Sequence, residues 1–205
     1  MIAVTGSTGA LGGQVATALV DLVPRLIVRD PSRAPELGLE VFAAHYDDAL
    51  AAQSALEGVS VLFMVSAAES EHRRDEHRTF IEAAARAGVR HLVYTSFSGA
   101  AADATFTLGR DHHDAEQAIL ASGMDFTILR DNFYLDVLPL FADEHGVIRG
   151  PAGDGRVAAV ARADVADVAG VVLRDPSAHA ETRYTLTGPE AVSYTHLTLP
   201  TKRIV

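Results

Sequence analysis

The residues best suited to chemistry open the chain. Gly6, Gly9 and Gly12 fall at every third position in Thr5-Gly-Ser-Thr-Gly-Ala-Leu-Gly12. A short apolar run, Ile2-Ala-Val4, precedes them, and a periodic apolar segment with Val15, Ala18, Leu19 and Leu22 follows. This is the pattern of a strand, a glycine turn and a helix. Gly6 permits the tight turn, Gly9 lets the backbone approach a pyrophosphate, and Gly12 lets the helix lie close on the strand. Backbone N–H groups that open a helix attract negative charge. Gly6, Ser7, Thr8, Gly9, Ala10, Leu11 and Gly12 are therefore candidate contacts for a dinucleotide. A tight turn without a ligand is the bland alternative.

The spacing Gly-x-x-Gly-x-x-Gly resembles that of the short-chain dehydrogenase/reductase superfamily, wider than the Gly-x-Gly-x-x-Gly of many other dehydrogenases. In dinucleotide folds the end of the second strand reads the adenosine ribose, where a carboxylate binds the 2′-hydroxyl and repels a 2′-phosphate. Here Arg29 follows the strand Arg25-Leu-Ile-Val28, with Arg33 nearby. Guanidinium groups pair with phosphate, so NADPH is expected over NAD, with Asp30 a minor count against. After a third strand, Glu40–Ala44, either Asp47 or Asp48 can cap the next helix. The resemblance implies a contact from Asp47 to the adenine. Small residues, Ser66 and Ala67, follow a near-continuous apolar strand, Val59–Val65, where the ribose and nicotinamide must pass. Thr95 and Ser96 end the strand that begins at Arg90.

Many short-chain reductases set a Ser here against a Tyr-x-x-x-Lys on the following helix, where the Lys makes the Tyr a usable proton donor. The lysine count of this chain is one, Lys202, so that pair is excluded. The corresponding helix carries His112 and Glu116, four apart on one face, and reads as a helical ion pair, a satisfied histidine or part of a site. Asn132 and Tyr134 follow the sixth strand, Asp125–Arg130. With Ser96 and His112 they are candidates to line a substrate pocket; no catalytic role is assigned.

The elements that must position these residues alternate strand and helix from end to end. That order points to an α/β fold: a doubly wound parallel sheet, Rossmann-like, in three layers. A helix is expected over Glu69–Ala87, with Phe80, Ile81 and Ala84 on its buried face. Its charged half, Glu71 to Arg78, reads as solvated. Further expectations are an apolar helix over Leu135–Phe141, a turn cluster Gly150–Gly155, and a short strand Val157–Val160. A helix from Arg162 capped by Asp164 and a last strand, Arg183–Gly188, follow. The 205 residues suit a single domain. There is no cysteine, and acidic residues outnumber basic ones by 27 to 17. Expected from this are a cytoplasmic protein, no metal site, no membrane segment and no nucleic-acid partner.

Taken in order, Thr5–Gly12, Val28-Arg-Asp-Pro-Ser32, Tyr94-Thr-Ser96, His112-x-x-x-Glu116, Thr127–Asn132, and Gly153–Arg156 with Arg162-Ala-Asp164 resemble the NmrA-like group. Within it the likeness is to type 2 NAD(P)H:quinone oxidoreductases. The resemblance implies hydride transfer from NADPH to a quinone or similar small electrophile, and leaves room for a homo-oligomer. A non-catalytic NAD(P)-sensing regulator is the alternative, since some NmrA-like proteins act through a protein partner. The resemblance also implies a helical lobe beyond Gly188 that helps close the substrate pocket. Residues 192–201, Val-Ser-Tyr-Thr-His-Leu-Thr-Leu-Pro-Thr, instead resemble the translation of a sequencing-library adapter. The expected division is therefore a Rossmann domain over 1–191, with the lobe largely missing, and a non-native tail over 192–205.

Overall fold

The computed structural model describes residues 1–145, 147–148 and 153–193. Seven strands form one parallel sheet. β1 (Ile2–Thr5), β2 (Arg25–Val28), β3 (Val41–Ala43), β4 (Val61–Met64), β5 (His91–Phe97), β6 (Asp125–Asp131) and β8 (Thr182–Leu186) lie in the order β3-β2-β1-β4-β5-β6-β8. Helices α1 (Ala10–Ala18) and α5 (Arg162–Arg174) cover one face, sharing a core of Val15, Leu19, Phe63, Val165 and Leu173. Helices α2 (Ala49–Ala55), α3 (Arg73–Arg86) and α4 (Thr107–Ala121) cover the other, over Phe80, Ile81, Leu92 and Ile119. A sheet covered on both faces needs strands apolar on both sides, which is why Val61–Met64 and Leu92–Tyr94 read as unbroken apolar runs. The doubly wound, three-layer expectation holds.

Strand order reverses direction between β1 and β4. In such sheets the carboxyl ends diverge at that point and leave a crevice. The glycine turn after β1 and the Val65–Ala67 stretch after β4 form its two walls.

Several local expectations fail for identifiable reasons. The segment Leu135–Phe141 forms only a short 3-10 turn, Leu138–Phe141. Pro139 lacks the N–H that an α-helix would use there and disfavours helical backbone at Leu138. Asp164 lies in the first turn of α5 but does not cap it; the N-cap residue is Ala161, without a side-chain bond. Asp136, from the preceding loop, accepts the Arg162 N–H at 2.8 Å instead. The expected strand over Val157–Val160 splits: Arg156–Val157 (β7) pairs antiparallel with Val192–Ser193 (β9), and Val160 bridges to Tyr134. That pairing takes in the first two residues of the segment expected to be foreign. Of the Gly150–Gly155 cluster, Gly150, Pro151 and Ala152 lie outside the described residues, as do residues 194–205 of the tail. Among the described residues no helix is long and apolar enough to cross a membrane.

Candidate active site

The glycine turn is built as its spacing requires. Gly6 sits at φ +63°, in the left-handed region, and its carbonyl accepts the Gly9 N–H at 2.9 Å. A Cβ on Gly12 would stand 2.4 Å from the Gly6 oxygen, so only glycine allows α1 to approach β1 this closely. Gly9 caps α1 without a side-chain bond, and no acidic residue lies in the first turn. The positive end of the helix thus faces the crevice unneutralised.

Beside it opens a cavity of about 390 Å³ lined by Gly6, Thr8, Gly9, Arg29, Tyr46, Asp47, Ser66 and Ala67, among others. A closed ring of hydrogen bonds forms its floor. The Val65 N–H donates to Thr5 Oγ1 (2.9 Å), Thr5 Oγ1 lies 2.6 Å from the Tyr46 hydroxyl, and that hydroxyl donates to the Val65 carbonyl (2.6 Å). Tyr46 also stacks on Phe80 at 4.3 Å between ring centroids. The two carboxylates beside it divide as capping predicts: Asp48 Oδ1 accepts the Ala51 N–H at 3.0 Å, leaving Asp47 at the cavity wall. Asp30 is similarly committed, accepting from the Ser32 N–H (3.0 Å) and hydroxyl (2.7 Å). Arg29 is then the charged side chain at the end of β2 that lines the cavity. Arg33 ends the adjoining 3-10 turn and is not part of the lining.

Ser66 and Ala67 also line a second cavity, of about 380 Å³, and so form the seam between the two. This seam is clamped from below. The Ser66 N–H donates to Thr95 Oγ1 (2.9 Å), the Ala67 N–H to His77 Nε2 (2.8 Å), and Arg73 Nε to the Ala67 carbonyl (2.8 Å). Arg73 is 3 % exposed and His77 0 %. Here the solvated-face expectation for the Glu71–Arg78 stretch fails, at these two residues; Glu71, His72, Arg74, Asp75 and Arg78 are exposed as expected. The helix begins only at Arg73, and its first turn turns inward because the seam presents backbone N–H and C=O groups that strands do not satisfy. Arg73 Nη2 also reaches His112 Nε2 at 3.1 Å. A guanidinium only donates, so Nε2 is an acceptor and His112 is the neutral Nδ1–H tautomer, donating to the Tyr94 hydroxyl at 3.0 Å. Burial, reinforced by Arg73, depresses His77 to about 3 and His112 to about 2. Burial pushes the Tyr94 phenol far up. His112 is the satisfied histidine, not a partner of Glu116.

The second cavity brings together all four expected pocket residues, Ser96, His112, Asn132 and Tyr134. Ser96 donates to Glu116 Oε1 at 2.5 Å, and Glu116 is held by Arg130 through bonds of 2.9 and 2.6 Å. Asn132 Oδ1 accepts the Phe133 N–H at 2.8 Å. Tyr134 donates to Asp131 Oδ2 at 2.8 Å. Phe97, Phe106 and Phe133 contact one another with centroids 5.3 to 5.8 Å apart and form an aromatic wall. Of the expected cofactor contacts, Ser7 and Leu11 are buried, and Thr95 holds the seam from beneath. Ala10 and Gly12 belong to α1 and are not part of either lining. Sequence reasoning missed Tyr46, Phe106 and Asp131, and set Arg73 and His77 on a solvated face; it placed Phe97 at the mouth of the strand ends and read Phe133 as packing. Their roles depend on contacts between elements far apart in the chain, and no local spacing announces them.

A protein-family model described as NAD(P)H-binding matches residues 6–176. The chain is 38 % identical to quinone oxidoreductase 2 of Escherichia coli (strain K12) over 207 residues, covering 96 % of this chain and 72 % of that relative. Among solved structures, it matches the NADPH-dependent quinone oxidoreductase of Escherichia coli complexed with NADPH. The TM-score is 0.89 and the identity 36 %, over 98 % of this chain and 76 % of that one. It also matches the Citrobacter sp. triphenylmethane reductase complexed with NADP(H), with a TM-score of 0.85 and 31 % identity over 95 % and 72 %.

Proposed function

The chain belongs to the NAD(P)H-binding family, and from that premise we propose that it is an NADPH-dependent oxidoreductase passing hydride to a quinone or similar small electrophile. One observation carries the reading: two cavities of nearly equal size share the Ser66–Ala67 seam. One is polar and bounded by the glycine turn, the other walled by phenylalanines. A cofactor laid across the seam would keep its phosphates at α1 and present its redox end to the second cavity.

The glycine turn and the uncapped start of α1 would hold the pyrophosphate. Arg29 would meet a 2′-phosphate, with Asp30 turned away to Ser32, and Asp47 would contact the adenine. The dihydronicotinamide, when bound, supplies the hydride. The clamp of Thr95, His77 and Arg73 fixes the seam backbone against which it must lie, and a fixed donor–acceptor geometry is where much of a transfer rate arises. Phe97, Phe106 and Phe133 offer flat apolar surface to a planar acceptor. An electrophilic quinone accepts hydride without a Tyr–Lys pair, which makes the lysine-poor sequence intelligible. The curated relatives with printed activities include a quinone oxidoreductase, a phosphate-ester reductase and an azoreductase, which supports the catalytic reading over the sensing regulator. The division at Ala191, and a closing lobe contributed by longer relatives, remain part of this proposal; Phe141, which lines the second cavity and is 56 % exposed, is apolar surface such a lobe would cover.

The test is NADPH fluorescence in the presence of the protein, followed by addition of a simple naphthoquinone. Enhancement followed by protein-dependent loss of the signal is expected. Enhancement without loss would move the assignment to a sensor, and a folded sample without enhancement would refute the cofactor site.

A further inference from the structure

Asn132 is the one asparagine in the sequence. It directly follows β6, at the carboxyl end of the sheet, and lines the second cavity half-buried. The backbone here is pinned on both sides. The Asn132 N–H donates to the Leu186 carbonyl at 3.0 Å, and the Phe133 carbonyl accepts the Val160 N–H at 3.0 Å. The side chain is oriented as well, because Oδ1 accepts the Phe133 N–H at 2.8 Å. A backbone N–H only donates, so the amide oxygen lies on that side and Nδ2, with its two N–H donors, on the other. Nδ2 has no hydrogen-bond partner among the described residues, and it is not one of the unpartnered polar atoms sealed inside the protein.

The other polar side chains of this cavity are committed or out of reach. Ser96 donates to Glu116, Tyr134 donates to Asp131, and both ring nitrogens of His112 are engaged. Arg73 is turned to Ala67 and His112, and its Nη1, like Asp131 Oδ1, is sealed from solvent. The Ser66 hydroxyl belongs to the seam shared with the first cavity. Among the described residues that line the second cavity, Asn132 Nδ2 is thus the side-chain N–H donor with no partner and open to it. It faces a space walled by Phe97, Phe106 and Phe133. A few placed polar groups in an apolar pocket fix the orientation of its ligand, and a donor of this kind selects an acceptor atom on a flat apolar body.

We propose that Asn132 is a catalytic residue, whose Nδ2–H donates to a carbonyl oxygen of the bound quinone and stabilises the negative charge that gathers there as hydride arrives. The inference rests on the reductase reading above. A quinone carries acceptor oxygens and no donor, so it matches what the amide offers. In the step, a C–H bond of the dihydronicotinamide breaks, and its hydrogen and electron pair pass to the quinone, which forms the new bond to that hydrogen. The cofactor leaves oxidised and the quinone becomes the hydroquinone monoanion, with its charge on the oxygen that Asn132 holds. That oxygen is a phenolate with an ordinary pKa of about 10, so at neutral pH it takes its proton from solvent water, and no protein acid is needed. A donor already fixed by the Phe133 N–H needs no reorganisation as the charge develops, which is what makes such donors effective in a site that excludes water.

The experiment compares the full chain with its Asn132→Asp variant. Aspartate keeps the size of the side chain and an acceptor for the Phe133 N–H, so a merely structural role survives, while the donor becomes an anion facing the developing charge. In the reduction of 1,4-naphthoquinone, kcat should fall on the order of 100-fold, with NADPH affinity, read by fluorescence, within about twofold of the original. A variant within about twofold of the original in kcat would overturn the proposal. A second readout depends neither on turnover nor on whether the variant folds. With one asparagine in the sequence, ¹⁵N-asparagine labelling of the original chain yields a single side-chain NH₂ pair by NMR. The labelled chain is saturated with NADP⁺, which has no hydride to give, and titrated with 1,4-naphthoquinone. One of the two amide protons should move downfield, and naphthalene, equally flat but without oxygen, should not move it so. No such movement at saturation overturns the proposal. The same movement with NADP⁺ alone also overturns it, because the amide then serves the cofactor. If NADPH binds but the original chain reduces no quinone, the reductase reading fails, and the labelled amide still reports whether Asn132 holds a carbonyl oxygen.

Discussion

Replacing Gly12 by alanine tests the central packing argument with a built-in control. The new Cβ would stand 2.4 Å from the Gly6 oxygen, 2.5 Å from the Gly6 carbonyl carbon and 2.7 Å from the Thr5 oxygen. All three are backbone atoms, so no side chain can rotate away. Restoring ordinary contact at 3.4 Å requires α1 to move by about 1 Å. The opposite flank of α1 is packed on α5 through Val15, Leu19, Val165 and Ala169, which leaves that movement nowhere to go. Overpacking of this kind costs about 3 kcal/mol, and the better helix propensity of alanine returns about 1 kcal/mol. The net loss is about 2 kcal/mol, or roughly 4–8 °C in Tm for a chain of this size. Gly170, inside α5, is the control: nothing lies within 4 Å of its would-be Cβ. Gly170→Ala should therefore stabilise by about 0.5–1 kcal/mol. Thermal and urea unfolding of the two variants give the comparison, and NADPH fluorescence should show weaker binding only for Gly12→Ala. Equal behaviour of the two variants, or a Gly12→Ala protein as stable as the original, would refute the reasoning.

Three other outcomes are expected. Arg29→Ala should weaken NADPH binding about tenfold while changing NADH binding little, since a lost charged hydrogen bond at an exposed site is worth about 1.4 kcal/mol; equal losses for both cofactors would remove Arg29 from the 2′-phosphate. Arg73→Met should cost about 3 kcal/mol in urea unfolding, because the Ala67 carbonyl and His112 lose a buried donor, and should weaken cofactor binding as the seam loosens. Stability should also fall with acidification. His77 and His112 are held in the folded chain near 3 and 2, below the unfolded value of about 6.5, so unfolding takes up two protons between about pH 6 and 4. Asp131, raised to about 7, releases one on unfolding across that window and opposes them. The net slope is about 1.4 kcal/mol per pH unit, steepened by His91, which desolvation also lowers. A urea midpoint that stays constant or rises from pH 6.5 to 5 would contradict this.

The alternation of strand and helix, the parallel sheet and the glycine turn were legible in the chain because each rests on local periodicity or a local backbone requirement. The 2.4 Å contact at Gly12 is the physical content of a spacing visible in the sequence. Arg29 was legible because strand ends are predictable in this topology, and Asp47 separated from Asp48 only once one of them was seen to cap α2. The α3 reading failed where it treated Arg73 and His77 by hydropathy alone. Their burial is decided by the Ala67 backbone, which follows β4 and needs partners that its own strand cannot supply. Asp131 sat unremarked beside the expected pocket residues because its ionisation depends on what surrounds it. The sequence by itself determined a Rossmann-like sheet and a dinucleotide cradle, since backbone periodicity and glycine sterics act over a few residues. Only the tertiary structure decided which polar side chains are buried and which carboxyl is pushed up towards neutrality, because desolvation is set by atoms brought together from distant parts of the chain.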